Sequence, residues 1–207
     1  MPACEAAFMA RLGALGMAVE THRHPPLHTV AESKALRGAL AGGHIKNLFL
    51  RDKRRSLWLV TVDEDRAVDL KALRRLLGAR GNLSFASPEL LRDALGVEPG
   101  AVTPFAVMND TAGRVTLVID RAVLDNAVVN AHPLHNAATT AIASDALVAF
   151  ASACGHAPLV IDFQAGAVLR ALARRRRFAD LAFAGLFRSI EVAEPCRHLV
   201  SCNRKSA

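Results

Sequence analysis

The chain has 207 residues, 52% of them hydrophobic and 22% charged, with a formal net charge of +7. That length suits one sizeable domain with an appendage. No apolar run reaches the roughly 18 residues of a membrane span, and the start MPACEAAFMARLG lacks a basic stretch followed by an apolar one, so the expectation is a cytoplasmic protein with no membrane partner.

The cysteines Cys4, Cys154, Cys196 and Cys202 are scattered, with no CxxC pair and no compact Cys/His quartet. They read as reduced thiols, and neither a metal nor another cofactor is expected. The positive charge is uneven. Residues 165–207 carry nine Lys/Arg against three acids, which leaves residues 1–164 at about +1. RNA contact by the main part of the chain therefore has to come from a local basic patch.

In chain order, Phe8, Leu12 and Leu15 have the spacing of an amphipathic helix over residues 5–17 that ends near Gly16. A short strand over residues 18–21 follows. In HRHPPLHTVAESKAL two prolines enforce an extended stretch, and Thr29 with Glu32 forms a capping box for a helix that stops by Gly42 and Gly43. IKNLFLRDKRRSLWLVTV predicts a hairpin with residues 51–55 at its tip. Asp69 caps LKALRRLLG, LSFA is strand-like, and Ser87 with Pro88 opens PELLRDALG, closed by Gly96.

VEPGAVTPFAVM reads as a loop entering a strand, NDTAG as a hairpin turn, and RVTLVID as the next strand. DALVAFASACG predicts a helix and PLVIDF a last strand. Without a regular βαβ alternation, these elements predict an α+β fold around an antiparallel or mixed sheet. From Ala165 the chain turns Ala/Arg-rich, with RRRR at 174–177. The expected organisation is a domain over residues 1–164 and a basic extension over 165–207, helical or disordered.

No GxSxG elbow, P-loop, HExxH or GxGxxG is present. What stands out is a set of polar residues inside apolar, structured segments. Lys46 and Asn47 follow two glycines that let the backbone approach a ligand closely, although each alone also reads as a strand-end residue. The loop Gly100, Ala101, Val102, Thr103 and Pro104 can aim backbone N–H groups into a cleft, or be a simple turn. His132 before Pro133 can orient a ligand or transfer a proton, or be a hydrogen-bonded structural histidine. Arg51, Lys53, Arg54 and Arg55, together with Lys71, Arg74, Arg75 and Arg80, can cradle phosphates, or be a solvated charged turn and helix face.

Taken in order, GGHIKNLFLRDKRRSLWLV, the long phrase from VDLKALRR to GAVTPF, and HPLHNAATTAI followed by GHAPLVIDF resemble the YbaK-like editing family, nearest its ProXp-ala (PrdX) branch. The similarity runs from about Leu12 to Phe163. It implies an α+β domain with a mixed, barrel-like sheet flanked by helices. The implied activity is hydrolysis of the ester joining a wrong amino acid to proline tRNA, alanine first, with prolyl-tRNA synthetase as a further partner.

On that resemblance Lys46 and Asn47 match the family's KN pair, residues 100–104 its GxxxP loop and His132 its motif histidine, while Thr29 and Val30 shape a small pocket. An aminoacyl ester is already activated, so positioned water can replace a nucleophilic side chain. The terminal ribose hydroxyl is implied to assist, with loop N–H groups stabilising the oxyanion. Size exclusion then separates alanine from the larger proline. Two other readings stay open: a sibling deacylase for Cys-, Ser- or Thr-charged tRNA, and a noncatalytic tRNA-binding or synthetase-associated module.

Overall fold

The computed structural model describes residues 2–26 and 40–169. The capping box at Thr29, the helix it opens and the extension beyond residue 169 lie outside these. The described elements are α1 (Glu5–Ala14), β1 (Val19–Arg23), β2 (Gly43–Arg51), β3 (Leu57–Asp63), α2 (Leu70–Leu77), β4 (Ser84–Phe85), α3 (Pro88–Leu95), a 3-10 helix (Pro104–Asn109), β5 (Val115–Asp120), α4 (Arg121–Leu124), β6 (Val128–Ala131), β7 (Ala138–Ala143), α5 (Ser144–Ala153), β8 (Leu159–Asp162) and β9 (Ala167–Leu169).

The strands form one mixed sheet in the order β1-β7-β6-β2-β3-β5-β8-β9, with β4 on β2. Helices flank it. The pairs β2/β6, β3/β5 and β5/β8 are parallel and the others antiparallel. The expected hairpin is β2/β3, with Asn47 opposite Thr61. The caps also stand as expected. Asp69 accepts from the Lys71 amide at 2.8 Å, Ser87 from that of Leu90 at 3.3 Å, and Gly78 and Gly96 close their helices in the left-handed region.

Alternation along the strands sends odd and even residues to opposite faces. One face packs Phe49, Leu57, Leu59, Leu117, Ile119, Val129 and Ile142 against α1, α3, the 3-10 helix and α5. Phe8, Phe105 and Phe150 are fully buried there, with ring centroids 4.5–5.6 Å apart. The other face packs Leu50, Trp58, Val60, Val62 and Val118 with Leu73 of α2 and Val168 of β9.

Two expectations change. FAVM is a 3-10 helix instead of a strand, because Pro104 starts it, Thr103 caps it, and Phe105, Ala106 and Val107 all bury their side chains in the first core. NDTAG therefore links that helix to β5 and is no hairpin turn. The sheet also continues past residue 164, since β9 pairs antiparallel with β8 from Asp162↔Ala167 to Val160↔Leu169.

Candidate active site

The polar residues collect where the second core does not reach. On the half of the sheet made by β1, β7, β6 and the start of β2, one face packs Val19, Ala131 and Ile142 into the first core. By strand alternation its opposite face carries His22, Thr139, Asn130 and His44. Strands β2 and β6 pair in parallel only at Gly43↔Val129 and His44↔Asn130. The next residues on that face, following the same register, are Lys46 and His132.

The two glycines before this point let strands meet. A Cβ on Gly42, whose φ is +106°, would stand 2.8 Å from the Val128 carbonyl oxygen, and one on Gly43 would stand 2.6 Å from Asn126 Nδ2. The close approach anticipated for a ligand is thus an approach to β6 and its entry turn. Lys46 is half-buried, and no hydrogen bond or ion pair engages its amine among the described residues.

His132 is half-buried at the end of β6. Its Nδ1 lies 3.0 Å from the Ala138 carbonyl, which can only accept, so Nδ1 carries the proton and Nε2 offers its lone pair in the neutral ring. Burial lowers its pKa below the ordinary histidine value, against the bond to Ala138, and the nearby His24 and His135 add to the lowering. The His24 ring stands 6.3 Å away, held by the Thr139 hydroxyl at 2.9 Å. Behind His132, Leu134 occupies the left-handed region at φ 71° and is buried, so core packing holds this loop in a conformation that leucine rarely adopts.

The loop at residues 100–104 is fixed by Asn47. The Asn47 amide donates to the Val102 carbonyl at 2.9 Å, and its Oδ1 accepts from the buried Thr61 hydroxyl at 2.8 Å. Asn47 is therefore a positioning residue whose side chain is committed to the fold. The Ala101 N–H bonds to the Glu98 carbonyl at 2.9 Å, while Gly100 turns the chain at φ 86°. The N–H groups of Val102 and Thr103 find no acceptor among the described residues. Thr103 and Pro104 are buried, with Thr103 serving as a helix cap. They support the loop from beneath.

At the other end of β2 the basic residues gather around a buried carboxylate. Asp52 accepts from the backbone N–H groups of Arg54 at 2.8 Å, Ser56 at 3.0 Å and Arg80 at 2.8 Å. Burial pushes the Asp52 carboxyl up, but those donors outweigh it and hold its pKa below the ordinary value. The Lys53 N–H reaches the Arg80 carbonyl at 3.1 Å, which brings Arg80 to the tip beside Arg51, Lys53 and Arg54. These four side chains are exposed or partly so, but they stand apart from Lys46: five residues of β2 at about 3.4 Å each separate Arg51 from it, roughly 17 Å.

Over residues 24–150 the sequence matches the family described as the aminoacyl-tRNA editing domain. The chain belongs to that family. Among relatives, the mouse prolyl-tRNA synthetase associated domain-containing protein 1 is 39% identical over 157 residues, covering 74% of this chain and 92% of the relative. The prolyl-tRNA editing protein ProX of Acetoanaerobium sticklandii is 35% identical over 151 residues, 72% and 92% of the two chains. A solved structure described as a candidate trans-editing enzyme for prolyl-tRNA synthetase superposes with a TM-score of 0.60 at 22% identity, covering 78% and 98%. That likeness fixes the editing-domain fold. No helix among the described residues is long and apolar enough to cross a membrane.

The editing domain thus places Lys46 and His132 on one face at the start of β2, Asn47 with residues 100–104 on the other face at the same strand level, and the basic set at the strand's far end. Thr29 and Val30 lie outside the described residues. Sequence reading missed Thr61 and Asp52, each opposite or within a segment already singled out. A lone buried threonine facing the KN pair and an acid inside a basic turn were the available signals.

Proposed function

We propose that this editing domain is a trans-acting deacylase that hydrolyses mischarged tRNA(Pro), with Ala-tRNA(Pro) as its first substrate. The observation that carries the reading is the clamped loop: Asn47, next to Lys46 in β2, holds the Val102 carbonyl, and the N–H groups of Val102 and Thr103 find no acceptor among the described residues.

In this reading the loop amides stabilise the oxyanion that forms when water adds to the ester carbonyl. Lys46 sets its ammonium beside that carbonyl. His132, neutral through burial, uses Nε2 to orient the water or the terminal ribose hydroxyl and to accept its proton. The ester C–O bond then breaks, the ribose oxygen takes the proton, and free amino acid leaves. Selection of alanine over proline rests on pocket size, to which Thr29 and Val30 contribute.

The names of the mouse relative and of ProX, which link those proteins to prolyl-tRNA synthetase and to prolyl-tRNA editing, support tRNA(Pro) as the carrier. The deciding experiment compares deacylation of Ala-tRNA(Pro), Cys-tRNA(Pro), Ser-tRNA(Pro), Pro-tRNA(Pro) and Ala-tRNA(Ala). Fastest release from Ala-tRNA(Pro) is expected. Equal release of cysteine or serine overturns the alanine assignment, and tRNA binding without any release leaves a noncatalytic module.

A further inference from the structure

Phe85 is 63% exposed, and the only other large hydrophobic side chain exposed among the described residues is Leu169 at 37%. Its backbone is fixed. Strand β4 pairs Phe85 with Leu50 and Ser84 with Arg51 on β2, the Ala86 N–H donates to the Phe49 carbonyl at 2.9 Å, and Ser87 caps α3 immediately after. Directly opposed residues of an antiparallel pair share a face. Phe85 therefore stands on the face of β2 that also carries Leu48 and Lys46, four residues or roughly 14 Å from Lys46 along the strand.

The surroundings are cationic. The turn organised by Asp52 brings Lys53, Arg54 and Arg80 to the end of β2 next to the β2/β4 pair, while Arg51, opposite Ser84, turns to the other face beside Glu89 and Asp93. Along the edge of β2 that carries β4 and β6, residues 45–48 have no strand partner among the described residues, so a chain can follow this edge from the basic tip toward Lys46. An exposed aromatic ring on a fixed strand next to a basic turn is the arrangement that single-stranded nucleic-acid sites use, because every base has a face to stack. An apolar protein partner would call for a broader apolar patch than this single ring.

We propose that Phe85 is a stacking platform for an unpaired nucleobase near the 3′ end of the bound RNA, one that sets the approach of the terminal ester to Lys46. This rests on the deacylase reading above.

The test uses the full chain and a labelled RNA hairpin carrying a short single-stranded 3′ end, beside the same hairpin made blunt, with binding followed by fluorescence anisotropy at fixed salt. Phe85→Ala should weaken binding of the overhang RNA about 5- to 100-fold, leave the blunt RNA unchanged, and keep the thermal midpoint, since the ring buries little surface. Phe85→Trp should restore binding. A wild-type overhang preference that Phe85→Ala leaves intact overturns the platform alone, as does an equal loss on both RNAs. Loss of prolyl-tRNA synthetase binding with RNA binding unchanged assigns the ring to a protein contact and overturns it too. A wild-type chain that binds neither RNA sinks the deacylase reading first.

Discussion

The two halves of the sheet are built to different ends. In the half made by β3, β5 and β8 both faces are apolar: Leu57 and Leu59 enter one core, Trp58, Val60 and Val62 the other, and β5 divides its side chains in the same way. The half made by β1, β7, β6 and the start of β2 packs one face into the first core and carries the polar Asn130, Thr139, His44, Lys46 and His132 on the other. The first half holds the domain together, and in the proposed function the polar face of the second carries the chemistry. Substitutions on that face should therefore change rate, whereas those in the doubly covered half should change stability.

Lys46→Ala is the sharpest form of the contrast. Removing a fixed positive contact beside the carbonyl should lower the deacylation rate on the order of 10²-fold or more. The unfolding midpoint should stay put, because Lys46 engages no partner among the described residues. Arginine should rescue poorly, since its planar fork replaces a compact ammonium. Near wild-type deacylation by Lys46→Ala in single-turnover assays would make Lys46 a strand-end residue.

His132 gives the next largest effect. If Nε2 works as a base, His132→Asn should cost about 10²-fold in rate. Because the folded pKa lies below the ordinary 6.5, the rate should be flat near neutrality and fall only as pH drops under that ordinary value. The stability linkage has the same sign. A histidine whose pKa is depressed on folding stabilises above its unfolded value and loses that contribution as pH falls through the folded one. A pH–rate profile with an acid limb at or above 6.5 would exclude the buried, neutral ring as the base.

Asn47 joins the two halves, because its side chain ties the loop to Thr61 of β3. Thr61→Val keeps shape but removes the donor, and should cost about 1–3 kcal/mol of stability by leaving Asn47 Oδ1 short of a partner. Its effect on rate should be smaller than that of Lys46→Ala. Chemical denaturation and single-turnover rates on the same variants separate the two effects, and an unchanged midpoint would mean that Thr61 does not hold Asn47.

What could be read from the sequence followed the range of the interactions. Caps at Asp69 and Ser87 and the hairpin β2/β3 depend on residues close in the chain, and their signals are local. The parallel pairs β2/β6 and β3/β5 join segments far apart, so no periodicity announces them. Residues 104–109 have a strand's apolar composition, yet they were fixed as a 3-10 helix by burial against Phe8 and Phe150. Lys46, the loop and His132 stand out in the sequence as polar residues in apolar, structured segments, but their proposed roles come from the resemblance. Thr61 and Asp52 do their work through partners that only folding brings near.

The basic tip should respond more weakly than the polar face. Reversing Arg51, Lys53 and Arg54 to Glu should weaken RNA binding and flatten its dependence on salt, as lost phosphate contacts release fewer counterions. Asp52 must be kept, since its carboxylate holds the turn and the Arg80 segment. Binding at low salt that matches wild type would put the RNA on another face.

The smallest effect should come from the far edge of the doubly covered half. A chain ending at residue 164 lacks β9, whereas one ending at residue 169 keeps it, and the pair isolates what the five residues of β9 and the turn before it contribute. Strand β9 gives β8 an antiparallel partner at Val160, Ile161 and Asp162, and Val168 packs on the second core. Losing it exposes the edge of β8 and the apolar surface beneath Val168. A few backbone hydrogen bonds at about 1 kcal/mol each, offset by the entropy of ordering the strand, amount to on the order of 1–2 kcal/mol. For a domain of this size that is a fall of a few degrees in the thermal midpoint. Deacylation per folded molecule should be the same for both truncations, because β9 lies five strands from β6 and His132 in the sheet. Equal midpoints would show that the structural domain ends at β8, and a rate lost with β9 would break the division between a half that folds and a half that reacts.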